Sequence, residues 1–176
     1  HDVIDAGNGL DTLNLTSGSD AFFAHDTIAP FNKSNNLIKD LFGNSYADRV
    51  FSIEIINGGS GDDIIDLTST DISISHSMTI NGDDGNDYIW SSDGADIING
   101  GNGNDNIFGG KGIDELTGGA GSDIFEFAND CGNDIIKDFS ISDGDQIRIL
   151  LQSSDTDQIT LQGSNIIKWG NNQITL

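Results

Sequence analysis

The chain has 176 residues, and its 7 Lys+Arg stand against 29 Asp+Glu for a formal net charge of −22. That balance leaves no basic footprint for a nucleic acid. Nor is there an apolar run of about 18 residues to make a membrane-spanning helix. One Cys and one Pro exclude a disulfide-stapled or collagen-like design, and 35% hydrophobic residues argue against a large globular core. The acid is 26 Asp against 3 Glu, beside 23 Gly and 18 Asn, a mixture suited to tight turns and hard-cation ligands. The length suits one elongated domain. The sequence opens on His1 without a signal peptide, and reads as a piece of something longer.

In chain order, residues 1–23 carry a loose period of nine: Asp2, Asp11 and Asp20, the latter two preceded by Gly-containing turns. Residues 24–57 lack the frame. Within them, 35–46 (NNLIKDLFGNSY) reads as a short amphipathic helix stopped at Gly43, and 51–56 (FSIEII) as a strand. Residues 58–136 hold the main array. GGSGDDII at 58–65 is a good copy, and 82–126 divides into GDDGNDYIW, SSDGADIIN, GGNGNDNIF, GGKGIDELT and GGAGSDIFE. The fourth place of these five frames is always Gly and the sixth always Asp. The eighth is always apolar: Ile89, Ile98, Ile107, Leu116, Phe125. Disorder needs no bulky apolar residue at a fixed place of every frame. Asn129 to Asp134 fit the frame after a two-residue slip. Residues 137–176 read as capping strands, with Phe139, Ile147 and Ile149 as core plugs and alternation over 157–176.

Physically, six residues rich in Gly and Asn make a turn and the next three make a short strand. Two frames complete one coil of 18 residues, and coils stack as parallel strands about 4.8 Å apart. The fold class expected is all-β: a parallel β-roll or β-helix solenoid with a C-terminal β cap and an irregular, helix-containing N-terminal segment. Stacking brings Asp87 over Asp105, Asp96 over Asp114, and Asp105 over Asp123. Carboxylates so close repel, but with turn carbonyls they make an oxygen cage for Ca²⁺, which takes six to eight oxygens. Asp63 and Asp87 are 24 apart, and stack if the six extra residues lie in the opposite half-turn, between Leu67 and Ile80. Ser91 and Ser92 replace a double Gly, which negative φ tolerates, and Asp83 replaces a second Gly, where Asp suits the left-handed region.

The frames resemble the GGxGxDxUx repeat of RTX (repeats-in-toxin) calcium-binding proteins. The resemblance covers 58–65 and 82–136 well, and 2–23 loosely. It implies ions between alternate loops, each held by the second- and fourth-place carbonyls and Asp of one loop, and by the first- and third-place carbonyls and Asp of the other. One ion would use Asp83, Gly85 and Asp87 with Gly100, Asn102 and Asp105. A second would use Ser92, Gly94 and Asp96 with Gly109, Lys111 and Asp114. A third would use Gly101, Gly103 and Asp105 with Gly118, Ala120 and Asp123. Gly110, Gly112 and Asp114 would pair with Asn129, Cys131 and Asp134. The same reading takes in Gly59, Gly61, Asp63, Gly82 and Asp84, then Gly119 and Gly121 in the last frame, and Asp11 near the start. The run from Ile135 to Ile147 resembles the element closing such arrays, where Asp138, Asp143 and Asp145 are candidates for a terminal calcium.

Catalysis finds little support. His25 and His76 sit in no nucleophile elbow or metal-ligand spacing and read as surface or turn residues. Cys131 reads as an unpaired, partly exposed thiol. Trp90 and Trp169 are candidates for stacking on a sugar, though single aromatics more often pack. Pro30 follows Ala29, so Asp-Pro self-cleavage is excluded. The expected function is a non-catalytic, calcium-folded module of a type I-secreted or surface-anchored bacterial adhesin. Its partners would be calcium, neighbouring domains of a larger chain and a surface glycan or protein ligand. The competing readings are the C-terminal module of a secreted lipase, protease or polysaccharide epimerase, and a glycan- or ice-binding domain. An ice-binding face wants an outward row of Thr, and the five frames offer only Thr117.

Overall fold

The computed structural model describes residue 10 and residues 12–23, 53–68, 74–151, 159–163 and 165–176. All regular structure among these is β. The sequence-predicted helix at 35–46, His25 and Asp11 lie outside them. Fifteen strands form two sheets: β1 (Thr12–Asn14), β2 (Ala21–Phe23), β3 (Ile55–Ser60), β4 (Ile64–Asp66), β5 (Thr79–Asp84), β6 (Tyr88–Trp90), β7 (Ile97–Asn102), β8 (Asn106–Phe108), β9 (Glu115–Ala120), β10 (Ile124–Ala128), β11 (Asn133–Ile136), β12 (Gln146–Leu150), β13 (Thr160–Gln162), β14 (Ile166–Trp169) and β15 (Asn172–Thr175). One sheet runs β1-β3-β5-β7-β9-β11-β15-β14-β13 and the other β12-β10-β8-β6-β4-β2. The chain alternates between them, so each pair of frames is one coil of a parallel solenoid.

The register shows where the period holds and where it breaks. β5 to β7, β7 to β9, β6 to β8 and β8 to β10 all advance 18 residues, as in Ile80↔Ile98↔Leu116 and Ile89↔Ile107↔Phe125. From β3 to β5 and from β4 to β6 the advance is 24 (Ile56↔Ile80, Ile65↔Ile89). Leu67 still follows that register, its N–H donating to Trp90 O, whereas Asp93 N–H already donates to Ile74 O in the 18-residue register. The six extra residues therefore enter between Leu67 and Ile74, in the half-turn opposite Asp63 and Asp87. Within the array the strands of the larger sheet are longer than the three residues expected: β5, β7 and β9 run on through the first three places of the next frame.

The core is one file of side chains between the sheets. Ile56, Ile65, Ile80, Ile89, Ile98, Ile107, Leu116 and Phe125 are fully buried. Outward on the larger sheet, Asn81 Nδ2 donates to Asn57 Oδ1 and Asn57 Nδ2 to Asn14 Oδ1, a ladder that continues in register to Asn99 and Thr117. At the C-terminal end β13, β14 and β15 are antiparallel, and β15 pairs parallel with β11. Trp169 and Ile174 close the core, with Trp169 edge-on to Phe127 at 6.4 Å between centroids. Phe139, Ile147 and Ile149 pack against the core while half-buried. Cys131 is buried rather than partly exposed: the slip before it passes through Asp130 at φ 65°, and the thiol joins the core file.

Candidate metal centres

The sixth-place residues form two columns, one along each edge of the solenoid. In the first, each backbone N–H donates to the carboxylate one coil further on. The bonds are Asp20 to Asp63 Oδ1 (2.6 Å), Asp63 to Asp87 Oδ1 (2.8 Å), Asp87 to Asp105 Oδ1 (2.8 Å), Asp105 to Asp123 Oδ1 (2.9 Å) and Asp123 to Asp145 Oδ1 (3.0 Å). In the second, Met78 donates to Asp96 Oδ1 (2.9 Å), Asp96 to Asp114 Oδ1 (2.9 Å) and Asp114 to Asp134 Oδ1 (3.0 Å). The sequence-predicted stacks are therefore formed, and Asp63 over Asp87 with them. Asp63, Asp87, Asp96, Asp105, Asp114, Asp123 and Asp134 are all buried.

The second carboxylate oxygen divides these residues into two groups. Oδ2 of Asp63, Asp87, Asp105, Asp114 and Asp123 is buried with no hydrogen-bond partner. Elsewhere the second oxygen is engaged. Asp96 Oδ2 accepts from Ser91 Oγ (2.5 Å), Ser92 Oγ (3.2 Å) and Ser92 N–H (3.3 Å). Asp20 Oδ2 accepts from Thr16 N–H and Oγ1, and Asp145 Oδ2 from Ser140 N–H. Asp138 spends both oxygens on the N–H groups of Gly118 and Gly119. Asp84 is exposed and accepts from Asn102 Nδ2.

The orphaned oxygens face first-place glycines and the carbonyls beyond them. A Cβ on Gly58 would lie 2.7 Å from Asp63 Oδ2 and 2.6 Å from Gly82 O. One on Gly100 would overlap Asp105 Oδ2 and lie 2.6 Å from Gly118 O, and Gly82 stands likewise against Asp87 Oδ2 and Gly100 O. Gly109 faces Asp114 Oδ2, where Ser91 at the equivalent place fills the space with its hydroxyl. Carbonyls of the second and fourth places also aim at the next coil: Asp83 O and Gly85 O at Gly101 and Gly103, and Gly101 O and Gly103 O at Gly119 and Gly121. On the other edge Ser92 O and Gly94 O face Gly110 and Gly112, and Gly112 O faces Gly132. Asp83 has φ 72°, whereas Ser91 and Ser92 keep negative φ. Lys111 points outward to Asp93 (3.0 Å). Asn129 Oδ1, on the second edge, is another buried oxygen without a partner.

Burial pushes these acids up toward protonation: Asp134 to about 6 and, with neighbouring carboxylates adding to it, Asp87 to about 7, Asp105 to about 6 and Asp114 to about 8. Asp63 and Asp123 move the same way for the same first cause. Asp20, held by Thr16, moves down. Burial and the carboxylates of Asp134 and Asp114 push the Cys131 thiol up, away from thiolate chemistry. A buried oxygen with no donor, a raised carboxylate and carbonyls aimed at the same gap together ask for a cation. Among the described residues no three acidic, His or Cys side chains converge, and the further oxygens beside Asp63, Asp87 and Asp105 Oδ2 are the backbone carbonyls of Gly82, Gly100 and Gly118. That is the donor set of a hard ion.

The sequence itself matches the family model described as the RTX calcium-binding nonapeptide repeat, in four copies at residues 1–24, 53–69, 79–107 and 99–130, more than half the chain. The chain belongs to the RTX calcium-binding repeat family. Its fold is the RTX β-roll, and its calcium is structural. No curated protein matches it individually. An RTX module of this kind is not catalytic by itself, and His76, half-buried with Nε2 3.0 Å from Ile53 O, is a turn residue here. Sequence reasoning missed Met78 at an aspartate place, and the hydroxyls of Thr16, Ser91 and Ser92 at metal edges. Counting 18 back from Asp96 finds the first. The others look like tolerated replacements for Gly until the carboxylate they bond to is seen.

Proposed function

We propose that the chain is a calcium-folded module of a large secreted or surface-anchored bacterial adhesin, loose while cellular calcium is scarce and coiled in millimolar external calcium. RTX repeats are typical of type I-secreted extracellular proteins. The observation that carries the reading is the set of five buried carboxylates with one oxygen on an amide and the other orphaned. The ions lie where those oxygens face the next coil. Asp63 with Gly59 and Gly61 meets Gly82, Asp84 and Asp87; Asp87 with Asp83 and Gly85 meets Gly100, Asn102 and Asp105; Asp105 with Gly101 and Gly103 meets Gly118, Ala120 and Asp123. On the second edge Asp114 with Gly110 and Gly112 meets Asn129, Cys131 and Asp134. The ion expected between Ser92, Gly94, Asp96 and Gly109, Lys111, Asp114 is the weak one, because the serines already satisfy Asp96.

Calcium's part is to neutralise and cross-link; the chain's part is to set the carboxylates beside inward carbonyls, and to supply one apolar residue per frame as core. With a net charge of −22, the chain without calcium repels itself. Sites of about 10⁻⁴–10⁻³ M affinity fill outside a cell and stay empty inside it. Far-ultraviolet circular dichroism tests the folding: β signal in millimolar calcium and its loss in chelator are expected. An unchanged folded spectrum in excess chelator would remove the proposal. Membership of an adhesin rather than a secreted enzyme is read from the reading frame around this segment, tandem extender domains supporting the first and a catalytic domain the second.

A further inference from the structure

The outer face of the smaller sheet departs from the polar pattern of the rest of the roll. Seventh- and ninth-place side chains point outward there. The ninth places make one row across four strands, in register: Asp66, Trp90, Phe108 and Glu126, continued by Arg148 on β12. Tyr88, two residues from Trp90, is 47% exposed, and the two rings sit 5.9 Å apart at 45°. Trp90 and Phe108 are half-buried. Asp66, Thr68, Trp90, Phe108, Glu126 and Leu150 line an open depression of about 330 Å³. Both bordering carboxylates are steadied: Thr68 N–H (2.9 Å) and Oγ1 (2.5 Å) donate to Asp66 Oδ1, and Arg148 Nη1 donates to Glu126 Oε1.

We propose that this shelf binds a neutral glycan, with pyranose rings laid on Trp90, Tyr88 and Phe108 and their hydroxyls donating to Asp66 and Glu126. Aromatic faces present an apolar surface to the C–H face of a sugar, while carboxylates accept from its rim. Neighbouring strands lie about 4.8 Å apart, close to the advance per residue of an extended pyranose chain, so successive sugars meet successive side chains of the row. Charge decides the class: at −22, with Asp66 at one end of the row and the charge of Arg148 taken up by Glu126 at the other, the face repels uronates, sulfates and phosphates. Area decides against a second copy of the chain. Even wholly covered, three rings at about 150–250 Å² each fall short of the about 800 Å² per partner of a stable protein interface. The inference needs the coil to be formed but not the adhesin reading.

Isothermal titration calorimetry in millimolar calcium, with cellohexaose, chitohexaose and an alginate hexamer as probes, tests it. Saturable binding of a neutral hexamer, none of alginate, and a loss of about tenfold or more in affinity for Trp90→Ala, equivalent to about 1.4 kcal/mol, are expected. Trp90→Phe should retain part of the affinity. Circular dichroism in calcium shows whether each variant is folded, so failure of the coil and failure of the shelf are separable. Intrinsic fluorescence supplies a second reading, because Trp169 is buried and only Trp90 can respond to a sugar at this face. Overturning results are no binding of either neutral probe to folded protein, or binding unchanged in both Trp90→Ala and Tyr88→Ala. A dimer in sedimentation that Trp90→Ala dissolves would also overturn it.

Discussion

Asp105→Asn separates the metal's contribution from that of the fold. Asp105 sits in the middle of the first column, with Oδ1 taking the Asp87 N–H at 2.8 Å and Oδ2 orphaned beside Gly100 and Gly118 O. Asparagine keeps the acceptor for Asp87 and turns an NH₂ toward a carbonyl, so the metal-free coil loses a repulsion and gains a donor. The calcium-loaded coil loses a carboxylate shared by two ions. With calcium at about ten times its dissociation constant each ion adds about 1.4 kcal/mol, so losing both costs about 3 kcal/mol, a large share of the stability of a small domain. Urea unfolding followed by circular dichroism in millimolar calcium, and the residual β signal in chelator, read both signs: strong destabilisation with calcium, no loss or a slight gain of β signal without. Asp62→Asn is the control, because Asp62 is exposed and serves only the N–H and Nδ2 of Asn86. Equal calcium dependence in the two variants, or equal loss in chelator, would refute the reasoning.

Replacing both Ser91 and Ser92 by Gly should free Asp96 Oδ2 and raise the calcium stoichiometry by one ion in equilibrium dialysis; an unchanged count means the serines are not what closes that place. Acid should act with opposite signs on the two states. Asp87 at about 7 and Asp114 at about 8 are raised above their unfolded values, so protonation favours the metal-free coil as pH falls through that range. Calcium needs the deprotonated forms, so its affinity falls over the same window, and titrations at pH 8 and pH 6 compare the two. Gly103→Ala should cost several kcal/mol in calcium, measurable as a lower melting temperature, since Gly103 has φ 133° and a Cβ there would overlap Gly85 O. Gly18→Ala has open space and should be nearly silent.

The nine-residue frame made the coil legible because one residue type recurs in each physical role. Gly85, Gly103 and Gly121 stand where chains approach, Asp87, Asp105 and Asp123 at the edge, and Ile89, Ile107 and Phe125 in the core. Register follows from that periodicity alone. What periodicity cannot place is a partner across an insertion. Asp20 stacks on Asp63 at a separation of 43 residues, and no count of nines finds it. Place in the frame also misled at Cys131. Third-place residues such as Asn102, Lys111 and Ala120 are exposed, whereas Cys131, after the two-residue slip, is buried. Hydroxyl edges were hidden for a different reason: Ser91 and Ser92 differ from Gly by a hydroxymethyl group that matters only once Asp96 is seen beneath them.

The engaged aspartates mark where the metal columns stop. Five carboxylates inside the array leave the second oxygen to an ion, whereas at the ends of the first column, and at Asp96 beside Met78, the chain closes it itself. Thr16 does so for Asp20, Ser140 for Asp145 and Ser91 with Ser92 for Asp96, while Met78 replaces the acid that would have opened the second column one coil earlier. The C-terminal end is finished most fully. Asp138 fastens the N–H groups of Gly118 and Gly119, Trp169 and Ile174 seal the core, and β15 continues the sheet from β11. None of these contacts uses an orphaned oxygen, so the cap closes the end of the roll without competing for the places left to the metal.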